Sequence, residues 1–330
     1  MGPAETEAQS MPNAIGIDLG GSHVMAALVD DAGAIVLRAE LDIEDQTFEA
    51  VVATIGTVAD QVLAQVKKSD VAAVGIGAPG NVELATGKIA YSPNLHWSDK
   101  PLGTAVGERL GLSVHVANDA RCATLGEHRF GIGRGTSDFV LLTLGTGIGG
   151  GIVSSGVLAI GHGAGAGEVG HHQVRATDGF RCNCGKTGCF EAQASGTGLI
   201  RHALSLAPSF PRSTLVPSNV QKRGSKSIRK AAQAGEPHAL AAWEGFVDDL
   251  SRGLANVIAF VNPEIIALGG GVSSAGDFLL TQLRPKVDIL TTMAPRGTTR
   301  IEIAQLGNDA GAIGAAEMAR RGGLLAAVRA

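Results

Sequence analysis

A chain of 330 residues with 45% apolar side chains carries enough hydrophobic material for two α/β lobes, which excludes a disordered polypeptide. Its formal charge of −4, without any dense basic run, argues against a nucleic-acid partner, whose phosphates demand clustered lysine and arginine. The 47 glycines are about twice the usual share and follow no collagen period, so they are expected to serve turns and close backbone approaches.

Residues 1–13 are polar and acidic, lack the pattern of a secretion signal, and read as a disordered lead. No run of about 18 uninterrupted apolar residues offers a membrane span, so a cytoplasmic protein is expected. Ala14 to Leu19 has the composition of a buried strand ending at Gly20-Gly21-Ser22, and Val24 to Val29 forms a hairpin-like opening with it. After the turn at Asp31-Ala-Gly33, Ile35 to Leu41 reads as a third strand. Phe48 to Lys67 carries apolar residues at helical spacing, and Val71 to Gly77 returns as a strand. Ala78 to Trp97, rich in glycine, proline and asparagine, reads as a long functional loop.

A helix over Leu102 to Leu110 precedes a short strand, Val114 to Ala117, that delivers Asn118-Asp119 to the start of a helix over Ala120 to Phe130. Phe139 to Leu144 is a buried strand broken by Gly145-Thr146-Gly147 and resumed at Gly151-Ile-Val153. Gly161 to Gly188 is too rich in glycine, histidine and cysteine for regular structure, and Pro208 to Gly224 reads as a surface excursion. His238 to Phe260 is a long helix, and Ile265 to Leu268 a strand running into Gly269-Gly270-Gly271. A helix, a strand over Arg300 to Ala304 and a closing helix over Gly311 to Arg321 complete the pattern.

Three strand ends thus terminate in glycine clusters, at Gly20-Gly21, Gly145-Thr146-Gly147 and Gly269 to Gly271. In α/β folds ligands lie beyond the carboxyl ends of strands, where glycine lets backbone N–H groups reach phosphate oxygens, so three such ends suggest one nucleotide held from several sides. Gly145-x-Gly147-x-x-Gly150 and Gly75-x-Gly77-x-x-Gly80 match the dinucleotide fingerprint, but one runs into a strand and the other into Pro79 and a loop, where a helix is required. Gly185-Lys186-Thr187 lacks the leading glycine of a P-loop, whose place Phe180 takes.

Cys182, Cys184 and Cys189, with His171 upstream, fit a tetrahedral Cys₃His site for structural zinc, with His172 a rival for the imidazole position. Cys122 reads as an ordinary helix residue. Asp119, at a strand end, has the chemistry to accept the proton of a sugar hydroxyl during in-line attack on a γ-phosphate, although Asn or Asp here would also cap the following helix. Asn94, Glu168 and Glu191 are further polar candidates for hydroxyl recognition.

Taken together, Asp18-x-Gly-Gly-Ser22, Asn118-Asp119-Ala, Leu-Gly-Thr-Gly147, Glu168-Val-Gly-His171, Cys182-x-Cys-Gly-x-x-Gly-Cys189-x-Glu191 and Leu-Gly-Gly-Gly271 resemble the ROK family of sugar kinases and repressors from about residue 14 to 320. The resemblance implies a two-lobed, actin-like ATPase or hexokinase-type α/β fold with a structural zinc site. The small lobe would take 14–118 and about 309–330, and the large lobe 119–308, with the zinc loop and the oligomer interface of a homodimer or homotetramer. It implies ATP-dependent phosphorylation of a hexose, with glucose to glucose 6-phosphate the leading reaction. Asp119 would be the general base, and Asn94, Asn118, Glu168, His171 and Glu191 would contact the sugar. Asp18, through Mg²⁺, with Gly20, Gly21, Ser22, His23, Thr143, Gly145, Thr146 and Gly147, would hold the phosphates, and Gly269, Gly270 and Gly271 would lie by the adenosine. His171 would then serve both zinc and sugar.

Two departures bear on specificity. Ser22-His23 stands where the family commonly reads Thr-Lys, which removes or weakens a charge near the phosphates. Arg121 takes a place expected to hold a smaller polar residue, and is expected at the rim of the sugar pocket. The alternative acceptors are an amino sugar (kanosamine, N-acetylglucosamine or N-acetylmannosamine) or a cyclitol. A transcriptional repressor of the family would carry a helix-turn-helix domain ahead of the first strand, for which some thirteen residues leave little room. A polyphosphate-using glucokinase would resemble shorter chains without the cysteine cluster.

Overall fold

The first apolar run becomes strand β1 (Asn13–Leu19) in the computed structural model, which describes residues 11–215 and 217–327. Most of the expected disordered lead, 1–13, lies outside the described residues, and Asn13 already belongs to β1. The chain forms two units, one running to Gly126 and resuming at Asp309, the other Glu127–Asn308, each with its own sheet and apolar core.

In the first unit β1 pairs antiparallel with β2 (His23–Val29), and β2 with β3 (Ile35–Asp42). On its other side β1 runs parallel to β4 (Val71–Ala78), and β4 to β8 (Val114–Asn118), giving the order β3-β2-β1-β4-β8. Ile15, Ile17, Val74 and Ile76 pack on Val51, Val58 and Val106 from α1 (Phe48–Leu63) and α2 (Leu102–Leu110). The opposite face is covered by α10 (Ala310–Arg320), so β1 and β4 are buried on both sides and read as continuous apolar runs. Gly16 and Gly75 are register partners facing α10, where an added Cβ would stand 1.8 Å from Ala312 O and 1.9 Å from Ala315 O. These glycines answer to packing, not to phosphate.

Two expectations for this unit's secondary structure fail. Residues 78–97 are not a plain loop: they contribute to a small antiparallel sheet of β5 (Asn81–Glu83), β6 (Lys88–Ser92) and β7 (Trp97–Lys100). Its strands each bury a single apolar residue, Val82, Ile89 and Trp97, and are too short for alternation to register in the sequence. Helix α1 also stops at Leu63, four residues before Lys67, where the chain turns toward β4.

The second unit opens with β9 (Phe139–Leu144), which turns at Gly145–Gly147 into antiparallel β10 (Ile148–Ser154) and then β11 (Val157–Leu158). β9 lies parallel to β12 (Ile265–Gly269), and β12 to β13 (Arg300–Ile303). Helices α4 (Phe190–Ala194), α5 (Gly196–Leu206), α6 (Pro217–Gln233), α7 (Pro237–Val261), α8 (Gly270–Ser273) and α9 (Asp277–Leu290) pack around a core that includes Trp243 and Phe246. The expected surface excursion at 208–224 holds for 208–214, which are exposed or half-buried, but not beyond: α6 begins at Pro217, and Leu215 and Val220 enter the core. Gly224, at φ +66°, breaks α6 in the middle, so no single helical period runs through the segment. Helix α3 (Asp119–Phe130) carries the chain from the first unit into the second.

Candidate active site

The carboxyl ends of β1, β4 and β8 bring Asp18, Gly77 and Asn118 to neighbouring positions: Asp18 pairs with Gly77, and the next pair across is Ala78 with Asn118. Both candidate acids of the first unit sit there, Asp18 at the end of β1 and Asp119 as the first residue of α3. A Cβ at Gly77 would make ordinary van der Waals contact with the Asp119 backbone and with Cys122, both at 3.4 Å, so the start of α3 packs directly on this strand end. Burial, then the negative charge of Asp119, pushes the Asp18 carboxyl up to about 6 from 3.8, with His23 pulling the other way. Asp18 also meets the first turn of α10, where a Cβ on Gly311 would stand 2.9 Å from Oδ1. A partly buried oxygen ligand of this kind fits a hard divalent cation such as Mg²⁺.

Capping falls to Asn118, not to Asp119. Asn118 Oδ1 accepts from Arg121 N at 3.2 Å, and its Nδ2 donates to Gly80 O at 3.2 Å. Asp119 Oδ1 accepts from Ala120 N at 2.8 Å, which fixes the half-buried carboxylate at the strand end. Gly80, at φ +110°, lies against Ser92 of β6, and the β6–β7 turn presents Asn94 to solvent. Ser22 and His23 are exposed beyond Gly20-Gly21, with the His23 ring folded over Gly20 and Gly20 N donating to His23 O at 3.0 Å. Arg121 is not at a rim: it is 2% exposed, because α3 is buried on every face from Ala120 to Glu127.

The second unit holds the other candidates. In the β9–β10 turn, Gly145 N donates to Gly147 O at 3.0 Å, Gly196 N to Gly145 O at 2.8 Å, and Thr197 Oγ1 to Thr146 O at 2.8 Å. Thr143 stands just before this turn, paired with Gly269 at the end of β12. Glu191 completes the set: its Oε2 accepts from Ile148 N at 3.0 Å and would lie 2.3 Å from a Cβ on Gly147. Gly270, at φ +81°, approaches the Leu144 backbone so closely that a Cβ would come within 2.7 Å of it. Gly271, by contrast, has open space around it.

His171, Cys182, Cys184 and Cys189 each turn one donor atom inward, all within 4.8 Å of one another. Cys184 Sγ lies 3.6 Å from Cys189 Sγ, and Cys182 Sγ lies 3.7 Å from His171 Nδ1. Tetrahedral zinc, with bonds of roughly 2.3 Å to sulfur and about 2.0 Å to nitrogen, gives edges of about 3.5–3.8 Å, which these two pairs match, so the donor set is compatible with the ion. His172 is not part of the cluster: its Nδ1 donates to Val169 O at 2.6 Å and its ring packs on Phe190. Cys182 Sγ also stands 3.8 Å from Glu191 Oε1. Glu168, just before the turn that carries His171, lines a cavity of about 310 Å³ with Val169, His172 and Phe260.

Sequence reasoning missed Gly311 and Thr197, which shape the strand ends from outside the motifs. The run of small residues at the start of α10 (Ala310-Gly-Ala-Ile-Gly-Ala315) signals close helix packing and could have pointed to Gly311. Among the described residues no helix is long and apolar enough to cross a membrane.

Residues 14–322 match the ROK family. The glucokinase of Halalkalibacterium halodurans is 39% identical over 306 residues, covering 91% of this chain and 92% of its own. That of Thermotoga maritima is 37% identical over 308 residues, covering 92% and 96%. The crystal structure of a ROK family glucokinase from Streptomyces griseus in complex with glucose and AMPPNP superposes with a TM-score of 0.83 at 35% identity, over 94% of this chain and all of that one. With the family model matching nearly the whole chain, and relatives of this identity covering more than nine-tenths of it, this chain belongs to the ROK family.

Proposed function

We propose that the protein is an ATP-dependent sugar kinase that converts glucose to glucose 6-phosphate. The observation that carries the reading is Asp119, held at the carboxyl end of β8 beside a second carboxylate, Asp18, that burial makes ready for a cation. Likeness to glucokinases along nearly the whole chain supports ATP and glucose as the substrates. Asp119 accepts the proton of the attacking hydroxyl as the new O–P bond forms and the bond to ADP breaks. Asn94, Asn118, Glu168, His171 and Glu191 bind the sugar hydroxyls. Asp18 holds Mg²⁺, whose charge neutralises the phosphates, while Gly20, Gly21, Ser22, His23, Thr143 and the Gly145–Gly147 turn bind them and Gly269 to Gly271 border the adenosine.

His171, Cys182, Cys184 and Cys189 hold zinc as a structural ion, since four protein donors leave no open position. The catalytic lobes are assigned as 14–118 with about 309–330, and 119–308, the start of α3 (119–126) packing with the first of the two units, in a cytoplasmic homodimer or homotetramer. ADP release measured across glucose, N-acetylglucosamine, N-acetylmannosamine, kanosamine and cyclitols tests the assignment, with glucose expected to give the highest kcat/KM. An amino sugar or cyclitol that outperforms glucose would replace it as acceptor, and ADP release with none of them would refute the kinase reading.

A further inference from the structure

Glu191 faces two ways. One carboxylate oxygen supports the backbone of the glycine turn, accepting from Ile148 N at 3.0 Å, and the other lies 3.8 Å from Cys182 Sγ, in the cluster that includes His171. Gly147 packs on the same carboxylate, so the turn has no side chain of its own between it and Glu191. The remaining ties of the turn come from α5: Gly196 N to Gly145 O and Thr197 Oγ1 to Thr146 O. Glu191 is therefore the side chain that joins the glycine turn to the His171 side of the unit. Backbone N–H groups bind phosphate well only when they are held in place beforehand, and Glu191, by taking up Ile148 N, anchors the backbone next to those of the turn.

Resting on the kinase reading above, we propose that Glu191 thermodynamically couples the sugar site to the phosphate-binding turn. A sugar hydroxyl bound between His171 and Glu191 fixes the carboxylate, the carboxylate fixes Ile148 N, and the ordered turn binds nucleotide more tightly. Because coupling between sites is reciprocal, nucleotide tightens sugar by the same factor. Glu191 is in this respect a positioning residue for the nucleotide, in addition to its contact with sugar.

The test measures the dissociation constant of AMPPNP·Mg²⁺ by calorimetry, without sugar and at saturating glucose, in the zinc-loaded wild type, in Glu191→Gln and in Thr197→Val. Amide hydrogen exchange over 145–149 is followed in parallel. In the wild type, glucose tightens AMPPNP at least about fivefold, the low end of ordinary site–site coupling, and slows exchange in the turn. Glu191→Gln binds glucose more weakly, yet at saturation its coupling falls below about twofold and the protection of the turn is lost. Thr197→Val, which removes a tie that does not pass through Glu191, weakens AMPPNP with and without glucose and keeps the wild-type ratio. Full coupling in Glu191→Gln, or glucose bound to the wild type without any effect on the turn, would overturn this proposal while leaving the kinase assignment intact. Failure of glucose and AMPPNP to bind the wild type at all would refute both.

Discussion

Asp18 and Asp119 oppose each other electrostatically at the carboxyl ends of β1 and β8: burial, and after it the charge of Asp119, raises Asp18 to about 6. The protein thus keeps a carboxylate under stress where a divalent cation would relieve it, the usual signature of a site arranged for a ligand and not for maximal stability.

The stress has a pH dependence whose sign follows from linkage. Below about pH 4 Asp18 is protonated in both folded and unfolded chains. Between about pH 4 and 6 the folded chain retains a proton that the unfolded chain has released, so stability falls as pH rises through that window and levels off above it. Asp18→Asn removes this penalty and is expected to raise unfolding free energy at pH 7 by up to about 3 kcal/mol, while abolishing Mg²⁺-dependent turnover. Urea unfolding at pH 4 and pH 7 checks the first part; a variant no more stable than wild type at pH 7 would show that the carboxylate is not strained.

Asp119→Asn keeps the shape of the carboxylate and removes its ability to accept a proton. Turnover is expected to fall by at least about 10²- to 10⁴-fold, the range of general base catalysis, with glucose affinity changed by less than about tenfold because binding does not depend on proton transfer. Single-turnover kinetics beside calorimetric titration separate the two quantities. Near-normal turnover would remove Asp119 from the mechanism.

Metal analysis of the purified protein is expected to give about one zinc per chain, as four protein donors require. In the absence of a cation burial pushes the Cys182 thiol up to about 12, so zinc loading must displace thiol protons and will release them in a measurable, pH-dependent burst. Cys184→Ser is expected to lose zinc and to lower the melting temperature. A fully folded wild type that takes up no zinc would contradict the site.

His23→Lys replaces a ring folded over Gly20 with a flexible ammonium able to reach phosphate oxygens. The KM for ATP is expected to fall by roughly threefold to tenfold, equivalent to about 1 kcal/mol for one added charge near the surface, with the KM for glucose unchanged. Initial rates across ATP concentrations decide it, and an unaltered ATP dependence would place position 23 outside the phosphate site.

Much of the fold was legible because long elements carry their own period. α7, the buried strands β1, β4, β9 and β12, and the glycine-ended turns all stand where their apolar patterns put them. The cysteine cluster was legible because so few chemistries use three cysteines within eight residues, but only the geometry separates His171 from His172. β5–β7 were lost because each strand buries a single apolar side chain, and α6 because Gly224 resets its phase halfway. Arg121 was misjudged because a charged residue two positions after Asp119 suggests exposure, whereas α3 is enclosed on all sides.

The contact of Gly16 and Gly75 with the α10 backbone sets a limit on redesign. With helix and sheet touching main chain to main chain, no repacking of side chains can make room for even one methyl group at those positions. Mutational libraries aimed at donor or acceptor choice are therefore best confined to Ser22, His23, Asn94 and Thr146, exposed residues whose replacement leaves that seam untouched.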